Sequence, residues 1–357
     1  MIHTAHNWSC PGPAAFDFRS DTKTHPTQAM LLSIASASLL DDDSREDPTT
    51  LTLESTIAQM TGKEAALFVA SGTMGNQLCI RAHLSYPPYG VLADARAHIV
   101  TSEAGGVASL SGAMVTAVRP GNGLYLTLED IQRHFNRGEL VTDCPTRVIV
   151  LENPINGVIV PLDECQRIRD WVKETNVDVK MHLDGARLWE VEAAGAGSLH
   201  DFCDCFDSAM LCFSKGLGAP VGSILVGDLE FRERARRVRK SVGGGMRQPG
   251  LLCAMAGVGV RQTFEGGVLK VAQERAREIG GFWEGHGGRL RYPVQTNMVW
   301  LDLEREGVTV GEWVRTGEEK GVKVMGERLV VHYQISEEGV ERLKGVMLDV
   351  LKLKLIK

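Results

Sequence analysis

Apolar and polar positions alternate between two periods along most of the chain. Seven short apolar runs, at residues 65–70, 91–93, 114–118, 147–151, 179–183, 208–213 and 222–226, are bounded by Gly, Pro, Asn, Asp or Ser. They read as buried strands. Between and around them, residues 26–40, 49–61, 74–84, 127–135, 162–175 and 230–241 carry apolar positions at helical spacing. Thr24 or Thr27 can cap the first of these helices, and Gly62 ends the second. Strands alternating with helices predict an α/β fold with a mostly parallel seven-stranded sheet and right-handed crossovers.

From about residue 255 the rhythm changes. Helices at 250–266, 267–286, 310–320 and 337–353 enclose only two strand-like runs, 296–303 and 329–333. The expected organisation is an arm at 1–16, a large α/β domain at 17–254 and a smaller α+β domain at 255–357. A chain of 357 residues is long enough for both.

In parallel sheets, ligands collect beyond the carboxyl ends of the strands. Two of those ends carry paired chemistry. Met181-His182-Leu183-Asp184 ends on an acid, and Cys212-Phe213-Ser214-Lys215-Gly216 ends on a lysine among small residues. A lysine that can bind an aldehyde and an acid that can pair with a pyridine nitrogen are what pyridoxal 5'-phosphate requires. Ser71-Gly72-Thr73, between a strand and a helix start, suits the phosphate, because free N–H groups and the helix dipole converge there. Asn153 lies at a further strand end.

Composition narrows the partners. Net charge is −6 with no long basic block, which argues against nucleic acid or an anionic membrane as main partner. No apolar run is long enough to span a bilayer, and residues 1–13 lack the pattern of a secretory signal. The eight cysteines form no disulfide framework; Cys203-Asp204-Cys205 lacks the histidine or second pair of a zinc site, so no metal is expected. A reducing, cytoplasmic setting fits.

Seven segments taken together resemble the threonine aldolase family of fold-type I pyridoxal phosphate enzymes, between about residues 17 and 336. They are Phe18-Arg19-Ser20-Asp21-Thr22, Glu46-Asp47-Pro48-Thr49, Ser71-Gly72-Thr73, Glu103-Ala104-Gly105-Gly106, His182-Leu183-Asp184-Gly185-Ala186-Arg187, the run from Ser214 to Ser223, and Gly243-Gly244-Gly245-Met246-Arg247-Gln248. The resemblance implies that Lys215 binds the cofactor, Asp184 pairs with its pyridine nitrogen and His98 stacks on its ring. It implies that Gly72 and Thr73 hold the phosphate, and that Ser20, Arg187 and Arg328 hold the substrate carboxylate. Lys240 and Arg247 then reach a neighbouring subunit's cofactor, so the expected unit is a homodimer or homotetramer with shared sites.

Two positions depart from the family pattern. Ser44 stands where members often have tyrosine, and Ile155, after Glu152-Asn153-Pro154, stands where many have a histidine near the substrate hydroxyl. The resemblance implies retro-aldol cleavage of threonine or allo-threonine to glycine and an aldehyde. The alternative is an alanine racemase of the kind found in a fungal subgroup, which breaks Cα–H and needs no base at the hydroxyl. An inactive family member is a third reading, opposed by the intact lysine, acid and carboxylate clamp.

Overall fold

Seven of the apolar runs pair into one sheet. The strands are β1 (Ala65–Val69), β2 (Gly90–Asp94), β3 (Met114–Val118), β4 (Thr146–Glu152), β5 (Lys180–Gly185), β6 (Ser208–Cys212) and β7 (Ser223–Gly227), in the order β1-β7-β6-β5-β4-β2-β3. All neighbours are parallel except β7, which runs antiparallel to β1 and β6. The reason is local: residues 213–222 contain no helix, so the chain has no crossover with which to return parallel. Every residue of β1, β2, β6 and β7 is buried, as expected of strands covered on both faces, while edge strand β3 leaves Met114 exposed. This computed structural model describes residues 12–175 and 177–354; residues 1–11 of the expected arm lie outside them, and Gly12–Phe16 form a 3-10 turn. No helix among the described residues is long and apolar enough to cross a membrane.

The helix Gly72–His83 follows β1 and lies close on the sheet. A Cβ at Gly75 would stand 2.6 Å from Met210 Cγ, so only glycine permits that approach. Elsewhere the helical pattern is interrupted. The segment expected to be helical over 26–40 is an α-helix only at Gln28–Ser33, followed by a 3-10 turn at Ile34–Ser36. Beyond it Ser38 leaves the helix, donating its N–H to Thr49 Oγ1 (2.9 Å) and accepting the Thr49 N–H (2.9 Å). The segment 250–266 is helical to Val258 and continues as a π turn, Gly259–Phe264, where Thr263 Oγ1 donates to the Leu217 carbonyl (3.2 Å).

The chain beyond forms a second apolar core around β8 (Met298–Trp300) and β9 (Arg328–Val330), which pair antiparallel. The two cores meet within the helix Val268–Gly285: Leu269 belongs to the first and Ala272 to the second. Phe18 also packs in the second core, and its carbonyl accepts the Val330 N–H (2.8 Å). That pairing carries Ser20 and Asp21 alongside Arg328, at the same end of the molecule as the strand termini that hold Asp184 and Lys215.

Candidate active site

Asp184 ends β5 and is 2 % exposed. Its Oδ1 accepts the Ala186 N–H (3.1 Å) and its Oδ2 accepts Asn76 Nδ2–H (2.8 Å). Asn76 projects from the helix Gly72–His83, one turn past Gly72, and the same amide nitrogen donates to Glu103 Oε1 (2.8 Å). Glu103 accepts from Gln77 Nε2 (2.6 Å) and pairs with His98 Nδ1 (2.8 Å). His98, Glu103 and Asp184 thus bring polar atoms within 4.8 Å of one another. Because Nδ1 is bound to Glu103, Nε2 is the His98 nitrogen left for a ligand. The Glu103 hydrogen bond outweighs partial burial and holds the His98 imidazolium above its ordinary pKa of 6.5.

Lys215 lies just past the end of β6. Its ammonium makes no hydrogen bond or salt bridge to any described residue, yet its charge acts on Asp21, His98, Glu152 and Cys212. Glu152 ends β4 directly beside Asp184 in register and accepts the His98 N–H (2.7 Å). Burial, and next the Asp184 charge, push its carboxyl up to about 7. Neighbouring Asn153 spends its side chain on the Val160 backbone, in both directions, and so closes the strand end.

Ser71 caps the helix Gly72–His83 by accepting the Met74 N–H (3.2 Å). Among the described residues no hydrogen bond occupies the N–H groups of Gly72 and Thr73. A Cβ at Gly72 would come within 2.8 Å of Cys212 Sγ, so the cradle cannot carry a larger residue without displacing that thiol. An open helix N-terminus, an unpartnered lysine and a doubly held carboxylate fit pyridoxal phosphate: the cradle its phosphate, Lys215 its aldehyde and Asp184 its nitrogen.

Opposite stand two guanidiniums. Arg187 grips fully buried Asp21 through Nε (2.7 Å) and Nη2 (2.6 Å), leaving Nη1 uncommitted. Burial opposes its charge, but Asp21 holds it above its usual range, and Arg187 in turn keeps Asp21 ionised against complete burial. Among the described residues Arg328 has no acidic partner within salt-bridge distance and only a 3.4 Å bond to the Arg19 carbonyl. Burial, then the Arg187 charge, lower its pKa. Two converging cations with one unpaired make a seat for a carboxylate. Ser20 follows Arg19, whose carbonyl touches Arg328, and its Oγ accepts from the Thr22 N–H (3.2 Å) and hydroxyl (2.9 Å).

Lys240 and Arg247 are not brought to this group within one chain. Exposed Lys240 pairs with Asp43, and exposed Arg247 with Asp41 (2.9 Å) and Asp43 (3.3 Å). On the same basic helix, Leu229–Ser241, Arg239 is 2 % exposed and bonds to Asp42 (2.6 Å) and the Phe68 carbonyl (2.7 Å). Ile155 is 2 % exposed and packs in the main apolar core. Asn76 and the bond from Glu103 to His98 escaped the sequence reading. The available signal was two amides, Asn76 and Gln77, on the otherwise apolar buried face of the helix.

The sheet, the lysine–acid pair and the anion cradle together define a pyridoxal-phosphate-dependent enzyme. Residues 17–306 match the family model described as Beta-eliminating lyase. The chain is 62% identical to Aldolase vrtJ of Penicillium aethiopicum over 96% of this chain and 88% of that protein. It is 44% identical to the low-specificity L-threonine aldolase of Eremothecium gossypii (94% and 87%) and 42% identical to alanine racemase TOXG of Cochliobolus carbonum (98% and 91%). Among solved structures, the Leishmania major threonine aldolase shares the fold at a TM-score of 0.79 and 20% identity, covering 94% of this chain and 99% of that one. The chain belongs to the β-eliminating lyase family and is a pyridoxal-phosphate-dependent lyase.

Proposed function

We propose that the protein cleaves Cα–Cβ of β-hydroxy-α-amino acids of the L-threonine and L-allo-threonine type, releasing glycine and an aldehyde. The observation that carries this reading is the unpartnered Lys215, whose charge reaches both Glu152, beside Asp184, and Asp21, gripped by Arg187, so that the Arg187–Arg328 pair can seat an amino acid by its carboxylate near the lysine. Bound pyridoxal phosphate supplies the electron sink for the charge released at Cα. Lys215 holds the cofactor, and Asp184 holds its nitrogen in the protonated form. Arg328, Arg187 Nη1 and Ser20 fix the substrate carboxylate and so choose which Cα bond is broken. His98 Nε2 takes the β-hydroxyl proton, with Glu103 orienting the ring and raising its basicity.

This assignment makes kcat/KM for L-threonine rise with pH through a midpoint above 6.5, because His98 must be neutral to accept the proton. His98→Gln should lower kcat/KM by about 10²-fold and remove that limb from the pH–rate profile. An unchanged limb would remove His98 from the proton's path. The carboxylate seat is tested separately. Arg328→Leu should raise KM for L-threonine by about 10²-fold with a smaller effect on kcat, since a charge-assisted contact to an unreacting group is lost. Steady-state kinetics with unchanged KM would exclude Arg328 from the seat.

The 42% identity to alanine racemase TOXG supports a second reading, in which the same site breaks Cα–H of alanine, with Lys215 and His98 as proton donors on opposite faces. Product analysis separates the two. Glycine and acetaldehyde in equal amounts from L-threonine, without D-alanine from L-alanine, is the expected result; D-alanine with negligible glycine would overturn it. We further propose a cytoplasmic homodimer or homotetramer in which Lys240 and Arg247 serve a neighbouring subunit's cofactor. Their placement on the acidic loop at Asp41 and Asp43, beside the helix that carries Gly72, supports this.

A further inference from the structure

Behind Asp184 runs a buried chain of polar groups that the reaction does not touch. Asn76 turns its Nδ2 to two carboxylates, so its Oδ1 must face the other way, toward His182 Nε2 at 3.1 Å. An amide oxygen only accepts, so His182 carries its proton on Nε2. Its Nδ1 then accepts from Ser208 Oγ (2.9 Å), and Ser208 Oγ accepts from His83 Nε2 (2.7 Å). His83 ends the relay: with Nε2 donating, its buried Nδ1 carries the lone pair and finds no donor among the described residues. Burial holds both rings neutral, each with a pKa lowered to about 3. Every hydrogen bond points one way, from His83 through Ser208 and His182 to Asn76, and Asn76 is the only side chain among the described residues that donates to Asp184.

We propose that His182 is a positioning residue for the reaction: its Nε2–H fixes the Asn76 amide, and thereby aims one donor at Asp184 and another at Glu103. One side chain thus orients both the acid of the cofactor site and, through Glu103, the imidazole of His98. Without it Asn76 Oδ1 is left buried without its donor, and the amide that serves both carboxylates loses its anchor on the far side. The inference rests on the reading of Asp184 as the partner of the pyridine nitrogen.

The test uses the cofactor-loaded protein and three readouts: the pH midpoint of the bound cofactor's visible absorbance, the cofactor dissociation constant, and kcat against KM for L-threonine. His182→Phe keeps the ring shape and removes both nitrogens. It should move the absorbance midpoint by about one pH unit, weaken cofactor binding about tenfold and lower kcat about tenfold with KM within about twofold. His182→Gln, whose amide nitrogen stands where Nε2 stood, should restore the midpoint to within about 0.3 unit. If His182→Phe does not fold, Ser208→Ala removes one hydroxyl only, frees the His182 tautomer and should move the midpoint in the same direction by a smaller amount. A midpoint within about 0.2 unit of wild type in folded His182→Phe, or in Ser208→Ala when the former is unfolded, overturns the proposal. Asp184→Asn is the control: if it too leaves the midpoint in place, the reading of Asp184 fails; if it alone moves it, only the role of His182 fails.

Discussion

Lys215→Ala protein folds and releases no glycine from L-threonine above background, a loss of at least about 10⁴-fold in kcat. The size follows from the lysine's isolation. Its ammonium is bonded to no described residue, so nothing in the site can take over the covalent binding of an aldehyde. The same isolation explains why folding survives: no hydrogen bond is broken, and no buried partner is left unsatisfied. The melting temperature is therefore expected within about 2 °C of wild type, as for a substitution away from the core and its bonded networks. Turnover within about tenfold of wild type by this variant would break the assignment of the site.

Asp184→Asn is the second large effect. The replacement keeps the size and removes the charge. In wild type both carboxylate oxygens accept N–H bonds, from Ala186 and Asn76. In the variant one amide group must face a donor with a donor, and the anion proposed to pair with the pyridine nitrogen is gone. An electrostatic contact in a water-poor site that strengthens as charge reaches the ring is worth several kcal/mol, so kcat should fall about 10³-fold with a modest change in KM. Glu152 should respond as well. Asp184 is the second cause of its raised pKa after burial, and loss of that charge lets its carboxyl titrate below about 7. Steady-state kinetics within about fivefold of wild type would show that Asp184 does not bear on the electron sink.

The features that announced the chemistry were those that local pattern can express. An apolar run ending on Asp184 or Lys215 says at once that the residue sits at a strand's end, and Ser71-Gly72-Thr73 before a helical period marks an open helix N-terminus. The sheet followed from the same pattern, including its seven strands. Partners were another matter. Asn76 reaches Asp184 across 108 positions and Arg187 reaches Asp21 across 166, and a hydrophobic pattern specifies faces without specifying which faces meet. The motif carrying Arg187 suggested a free carboxylate holder. In the fold, two of its nitrogens already hold Asp21, and Arg328 is the guanidinium left without an acid. The departure at Ile155 also reads differently in three dimensions, because its side chain packs in the main core, and the proposed path for the proton runs instead through His98. Helix length at 26–40 was misjudged because Ser38 finds side-chain and backbone partners in Asp47 and Thr49 that periodicity does not register.

Lys215 is the residue proposed to bind the cofactor's aldehyde, and one measurement tests this directly. Wild-type protein loaded with pyridoxal phosphate is reduced with borohydride, digested and mapped by mass spectrometry. The account predicts a single reduced pyridoxyl adduct, on the peptide carrying Lys215, with activity lost in proportion to its yield. An adduct on another lysine with the Lys215 peptide unmodified, or full activity after complete reduction, would contradict it.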